Sequence, residues 1–164
     1  MTSNPYGPRF WFTYLANVGL MVAVSLLFRY ADFVRHFGGS EELLGLITGV
    51  GMVGAITARA FQGVAIDRYG AGRIWVLSLA LLTVCLLGHL FVGSLQGPQV
   101  FLLRILYTVS LAGAFGASIT YVTLRAPTDR MGELFGMLGS SGFIGMAIGP
   151  TIGDWLFANS EAQE

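Results

Sequence analysis

The residues of this sequence that could do chemistry are charges placed within or between long apolar runs. Arg104 lies inside the run from about Val100 to Leu124, and Asp67 lies in the stretch GVAIDRYGAGR, Gly63 to Arg73. An ionisable group inside a membrane is costly and usually faces a water-filled cavity or a partner of opposite charge. Two kinds of chemistry are therefore open here: binding of an anion or proton-carrying group, and a charge contact that can be made and broken.

The composition indicates where those charges lie. The chain has 164 residues, 54% hydrophobic and 11% charged, with a mean hydropathy of +0.69. Soluble domains carry about 25% charged residues, so this chain is too apolar to cover a surface that faces water. Its nine basic residues are all arginines and balance nine acids, which argues against a nucleic-acid partner. The lipid bilayer is the expected surrounding.

The usual catalytic and cofactor residues are scarce. Cys85 is the single cysteine, and His36 and His89 are the two histidines, far apart along the chain. A disulfide framework, a multi-cysteine metal site and a histidine-based catalytic cluster are therefore not expected. No apolar run contains paired carboxylates at helical spacing or a nucleophile motif, so we expect neither an enzyme nor a cofactor.

Five segments are long and apolar enough to be transmembrane helices, which need about 20 residues. Because backbone amides in lipid must be satisfied internally, and the runs do not alternate as barrel strands do, the predicted class is an all-α integral membrane protein. The expected spans are approximately 10–28, 43–65, 74–93, 100–124 and 134–157, between an N-terminal segment 1–9 and a polar tail 158–164.

The arginines predict the orientation. One side of the membrane receives Arg9, Arg59, Arg68, Arg73, Arg125 and Arg130, whereas the other receives Arg29 and Arg35. The positive-inside rule then places the N-terminus in the cytoplasm and the tail outside, in an inner or plasma membrane. The N-terminal stretch lacks a small-residue cleavage site, and we interpret it as a retained first span.

Asp67 is the one charge in the GVAIDRYGAGR loop that is not explained by a role in holding a helix end at the membrane surface. Arginines at this position hold a helix end in the cytoplasm and glycines form the turn, but a carboxylate needs a partner: Arg68, Arg73, Arg130 or the N-terminus of another helix. Gly63 lies four residues before Asp67 on the same helical face, where it permits close approach of a second helix.

The pattern Gly63-x-x-x-Asp67-Arg68-x-Gly70-x-x-Arg73 resembles the cytoplasmic loop motif of the major facilitator superfamily, roughly G-x-x-x-D-R-x-G-R-R/K. It departs from that motif after Gly70, where one arginine stands instead of two basic residues. The resemblance implies that Asp67 helps to latch two transporter halves together on the cytoplasmic side.

The fifth span carries glycines every three or four residues, which predicts one continuous face for helix packing. They are Gly132, Gly136, Gly139, Gly142, Gly145, Gly149 and Gly153. Pro150 removes an amide donor and is expected to bend or loosen the helix. Gly145-x-x-x-Gly149-Pro150-x-x-Gly153 resembles the fifth-helix motif G-x-x-x-G-P-x-x-G-G of the same superfamily, typical of drug:proton antiporters, with Asp154 in place of the last glycine.

Three polar residues are candidates for a cavity or for coupling. Arg104 either extends to the outer interface or faces a water-filled path. Its position resembles the family's fourth-helix arginine, in R-x-x-x-G or R-x-x-Q-G contexts, although Tyr107 and Thr108 replace the glutamine and glycine; the resemblance implies a part in proton coupling or anion binding. Asn17 either lines a substrate path or hydrogen-bonds a neighbouring helix.

Together these features predict the first five helices of a six-helix N-terminal bundle, as part of a secondary transporter that moves a small solute by alternating access, with protons as the implied coupling ion. The sixth helix and the second half are not in the sequence, so we expect a fragment or a chain that needs a complementary one. The alternative is a small helical membrane protein that serves only as an interaction or assembly module.

Overall fold

A computed structural model of the chain describes residues 6–95 and 97–161, with side chains as far as residue 155. All regular structure in these ranges is helical. The α-helices are α1 (Pro8–Leu26), α2 (Tyr30–His36), α3 (Glu41–Tyr69), α4 (Ala71–His89), α5 (Pro98–Thr123) and α6 (Met131–Glu161), with 3-10 turns at Leu27–Arg29 and Thr128–Arg130. Five helical segments in the described chain are long and apolar enough to cross a membrane, which confirms the predicted all-α membrane class.

The helix ends follow from local residues. Pro8 stands in the first turn of α1, where its missing amide hydrogen costs nothing. Ser40 caps α3 by accepting a hydrogen bond at 3.2 Å from the backbone nitrogen of Leu43, and Glu41 and Glu42 in the first turn suit the positive end of the helix dipole.

The connection between the first two apolar runs is not a plain loop. It forms the short helix α2, with Asp32 in its first turn and Arg35 in its last, as the dipole favours. Arg35 also pairs with Glu41 at 2.7 Å, and Gly38 provides the left-handed turn with φ +73°. Hydropathy did not predict this helix, because its polar residues interrupt the apolar pattern.

The described chain divides into two compact units. The first comprises residues 6–30 and 122–161, in which α1 packs along α6. An apolar cluster of Phe10, Val122, Leu134 and Leu138 forms part of its core. The second comprises residues 31–95 and 97–121 and holds α2, α3, α4 and most of α5, with Ile47 and Cys85 fully buried.

Candidate functional site

The charged stretch between α3 and α4 folds into a hairpin whose turn is one residue, Gly70. α3 ends at Tyr69 and α4 begins at Ala71. Gly70 has φ +87° and ψ 142°, a region of backbone conformation that essentially only glycine adopts. Its N–H donates to the Ile66 carbonyl at 2.8 Å and its carbonyl accepts from the Ile74 N–H at 3.2 Å, so it closes one helix and opens the next.

Two of the three charges of the hairpin, Asp67 and Arg73, lie at helix ends whose dipole opposes them, whereas Arg68 suits the end of α3. Asp67 is in the last turn of α3, where cations are favoured, and Arg73 is in the first turn of α4, where anions are favoured. Such an end effect amounts to about 0.3–1 kcal/mol for an exposed charge. Both residues are exposed, and among the described residues neither has an ion-pair or hydrogen-bond partner. The hairpin therefore presents two charges that a docking partner could compensate.

A row of exposed glycines on α3 leads to Asp67. Gly45, Gly49 and Gly63 are exposed, and a methyl group on any of them would meet no atom within 4 Å. At about 100° per residue, these three glycines and Asp67 point within about 40° of one another. We call this surface the α3 glycine stripe. Membrane helices approach closely along such small-residue faces.

The motif glycines of α6 pack directly against α1. A Cβ atom on Gly145 would lie 2.5 Å from the Cβ of Met21, and one on Gly149 would overlap the hydroxyl of Ser25. Gly153 is farther, with 3.4 Å from its would-be Cβ to α1. The Ser25 hydroxyl also donates to the Gly145 carbonyl at 3.3 Å. The contact is thus close enough that only glycine fits at two positions.

The glycines of α6 do not form the single continuous face expected from the sequence. A methyl group on Gly132, Gly136 or Gly139 would meet nothing within 4 Å, whereas Gly145 and Gly149 are buried against α1. The reason is rotational: three successive steps of three residues, from 136 to 145, each fall about 60° short of a full turn. The N-terminal glycines therefore form a separate, exposed surface, which we call the α6 glycine stripe.

Pro150 lies inside α6, and the helix continues through it to Glu161. Pro150 is exposed, while the preceding Gly149 is buried. The bend expected from its missing amide donor stays a prediction.

Arg104 of α5 lies partly buried beside α3. The stem of its side chain packs where Gly51 has no side chain, and its guanidinium carbon is 5.2 Å from the centroid of the Tyr107 ring. Tyr107 is buried, with 6% of its surface exposed. A guanidinium over an aromatic face keeps its positive charge, which an anionic group can approach. The structure thus brings Arg104 and Tyr107 together.

Asn17 belongs to the other unit, on α1. It is 5% exposed, and its Oδ1 atom accepts no hydrogen bond from the described residues. One turn earlier, the hydroxyls of Tyr14 and Ser140 lie 3.0 Å apart and join α1 to α6. A buried amide oxygen with spare acceptor capacity suits a water molecule or a solute donor.

Comparison with known proteins decides the family. A sequence model described as "Major Facilitator Superfamily" matches residues 10–163. The chain belongs to the major facilitator superfamily. An uncharacterized MFS-type transporter of Methanocaldococcus jannaschii is 29% identical over 147 residues, which cover 87% of this chain and 35% of that protein. The chain thus spans about a third of the length of this relative. No solved structure shows a significant match.

Asp154 is the position at which this superfamily member departs from the fifth-helix motif. In the structure its carboxylate lies 3.4 Å from Nη1 of Arg29, just beyond the end of α1. A glycine could not make this contact. The sequence did not reveal the pair, because the two residues are 125 positions apart.

The N-terminal segment of this superfamily member carries a contact that sequence reasoning missed. The Tyr6 hydroxyl donates to Glu133, which also accepts hydrogen bonds from Arg130 at 2.7 and 2.8 Å. The hydrogen bond to the Glu133 carboxylate raises the pKa of Tyr6 above its usual value. The spacing of Arg130 and Glu133 indicates a helical ion pair, but nothing local indicates Tyr6.

Gln62 is a second residue that the sequence did not single out. Its amide nitrogen lies 3.2 Å from the carbonyl oxygens of both Ala112 and Gly113, and the side chain packs where Gly116 has none. It fastens α3 to α5 one residue before the motif glycine, Gly63. A polar residue within an apolar run and glycines in the neighbouring run were the available signals.

Proposed function

We propose that this chain is part of a secondary active transporter that moves a small solute by alternating access. Family membership supports transport as the activity, and the close packing of α1 on α6, like that of α3 on α5, is helix packing of the kind that membrane transporters use. The distribution of arginines supports an N-terminus in the cytoplasm, in an inner or plasma membrane.

The observation that carries this proposal is the exposed Asp67 at the end of the α3 glycine stripe. A second helical body can approach closely along Gly45, Gly49 and Gly63, and its own helix N-terminus or an arginine can then compensate Asp67. The contact would be lost each time the bodies separate at the cytoplasmic side. Asp67 is therefore proposed as a latch, with Arg68, Gly70 and Arg73 forming the rest of the latch loop.

The other half of the transporter is the proposed partner. The chain spans 35% of the length of its archaeal relative, and the α3 and α6 glycine stripes are surfaces on which further helices can pack. We expect the chain to be inactive in transport without a complementary half. Substrate and direction depend on both halves.

The test is transport with and without Asp67. The chain is reconstituted with its complementary half in vesicles that contain the pH indicator pyranine, and both the uptake of a panel of radiolabelled solutes and the movement of protons are followed. Asp67→Asn should reduce the rate and leave expression unchanged, whereas Asp129→Asn, an exposed carboxylate of the 3-10 turn, serves as the matched control. Unchanged transport rates in Asp67→Asn would contradict the proposed role of Asp67 as a latch.

Coupling to protons, with export as the direction, is proposed from the fifth-helix motif and from Arg104. The guanidinium of Arg104 over Tyr107 offers a fixed positive charge to an anionic group of the solute or to a carboxylate that exchanges protons. A solute-driven pH change in the same vesicles supports coupling; solute uptake without one contradicts it.

The exposed α6 glycine stripe favours one other function, a helical assembly module without transport activity. The reading frame that follows in the genome distinguishes the two. Further hydrophobic spans of the same superfamily there support a transporter, whereas an unrelated gene favours the module. Transport by this chain alone would contradict the expected need for a second half.

A further inference from the structure

α5 is held to α3 by a hydroxyl that reaches across to a glycine carbonyl. The Oγ1 of Thr108 donates to the Gly51 carbonyl at 2.6 Å, and the carbonyls of Arg104 and Ile105 in its own helix lie 3.1 and 3.0 Å away. The contact brings the backbone of α3 close to the turn of α5 that carries Arg104.

The same glycine provides the space for the stem of Arg104. A Cβ atom on Gly51 would lie 2.8 Å from Cγ of Arg104, which is closer than real Cβ contacts, and at a tight 3.2 Å from Cγ2 of Thr108. Cγ is near the root of the arginine, so a displacement there moves the whole guanidinium. Arginine is long and has many rotamers. Its guanidinium therefore keeps one position only where neighbouring atoms restrict the side chain.

We propose that Gly51 is a positioning residue for Arg104. Its missing side chain and its hydrogen-bonded carbonyl hold the arginine stem, so that the guanidinium stays over the ring of Tyr107. This inference rests on the proposed function, in which Arg104 contacts an anionic or proton-carrying group. Gly51 itself would not contact that anionic or proton-carrying group.

The test compares three glycines of α3 by the same substitution to alanine. Gly51→Ala adds a methyl group against Arg104. Gly54→Ala adds one 2.9 Å from Cγ2 of Ile105, in the same helix interface but away from the arginine, and Gly49→Ala adds one in open space. Comparison of the first two separates the position of Arg104 from helix packing in general.

The measurement is the rate at which phenylglyoxal, an arginine-selective reagent, modifies Arg104 in the full chain held in lipid nanodiscs. Peptide mass spectrometry resolves this residue from the other arginines, and Arg73 provides an internal reference. We expect a several-fold faster modification of Arg104 in Gly51→Ala and an unchanged rate in Gly49→Ala and Gly54→Ala. Equal changes in Gly51→Ala and Gly54→Ala, or none in either, would overturn the proposal.

A second pair of variants covers the case in which Gly51→Ala does not fold. Thr108→Val keeps the shape but removes the hydroxyl, and should accelerate modification of Arg104; Thr108→Ser keeps the hydroxyl and should restore the slow rate. Indistinguishable rates in the two variants count against the proposal. Since this readout requires no transport, loss of the Asp67 latch would leave it standing, and its own failure would leave the latch untouched.

Discussion

At the scale of single residues, the contact of Gly149 with Ser25 shows how little room separates α1 from α6. The hydroxyl of Ser25 occupies the place that a methyl group on Gly149 would take, and the Val22 carbonyl lies 3.0 Å from the same point. Helices in lipid gain little from hydrophobicity between them, so packing and polar contacts of this kind hold them together. Gly145 and Gly149 are therefore needed for the close approach of α1 and α6.

Gly149→Ala should therefore destabilise the chain by about 1–3 kcal/mol, the usual cost of overpacking a close contact. Gly139→Ala, at an open position on the same helix, should leave stability unchanged or slightly higher. Thermal unfolding in detergent measures both. Adding Ser25→Gly to Gly149→Ala should recover part of the loss; no recovery would place the strain elsewhere.

The ion pair between Arg29 and Asp154 belongs to the same scale but has a smaller effect. The side chain of Asp154 is 75% exposed and that of Arg29 is 43% exposed, so solvent screens the interaction. Asp154→Gly, which restores the family motif, should change the free energy of unfolding by at most about 1 kcal/mol. Thermal unfolding at low and high salt measures this; a larger, salt-independent loss would show that the pair is not the source.

At the scale of helices, the hairpin of α3 and α4 depends on one backbone conformation. The residue between the helices has φ +87° and ψ 142°, and a side chain with a Cβ atom is strained there. The surrounding contacts do not matter for this position, since a methyl group on Gly70 would meet no atom within 4 Å.

Gly70→Ala should lower stability by about 1–3 kcal/mol, the range for a residue forced into a sparsely populated backbone region. Gly63→Ala, an open helical glycine nearby, is the control and should have no such cost. Detergent unfolding compares the two. If both variants unfold at the same temperature as the parent chain, the strained turn is not present.

The sequence predicted the five spans because a long apolar run prefers lipid to water whatever its tertiary contacts are. The bounds of the helices were predicted less well, because tertiary contacts determine where a helix ends. α3 continues through the polar residues Asp67 and Arg68, which look like a loop, and α2 is hidden in a polar stretch. For the site, the spacing identified the packing glycines of α6. It did not show which of them contact α1, because the rotation of the glycine series and the position of the partner helix are properties of the folded chain.

At the scale of the whole molecule, many large apolar side chains of the described residues are exposed. Large apolar side chains such as Phe12, Phe61 and Phe143 are each more than two-thirds exposed. In water such a surface would aggregate, whereas in a bilayer it faces lipid. The burial pattern is thus that of a membrane protein, in accord with its family.

The orientation is the prediction at this scale. In a Cys85→Ser background, which keeps a donor for the Leu103 carbonyl, Arg73→Cys and Gly93→Cys place single thiols at opposite ends of α4. A membrane-impermeant maleimide should label Gly93→Cys in intact cells and Arg73→Cys only in inverted vesicles. The reverse labelling pattern would indicate the opposite orientation in the membrane.

The one-residue connection at Gly70 has a mechanical consequence. α3 has 29 residues and α4 has 19, so the rods they form are about 43 and 28 Å long. Because one residue joins them, the two helices should tilt together rather than independently. A force applied near Gly70, close to Asp67, would then be transmitted along both helices.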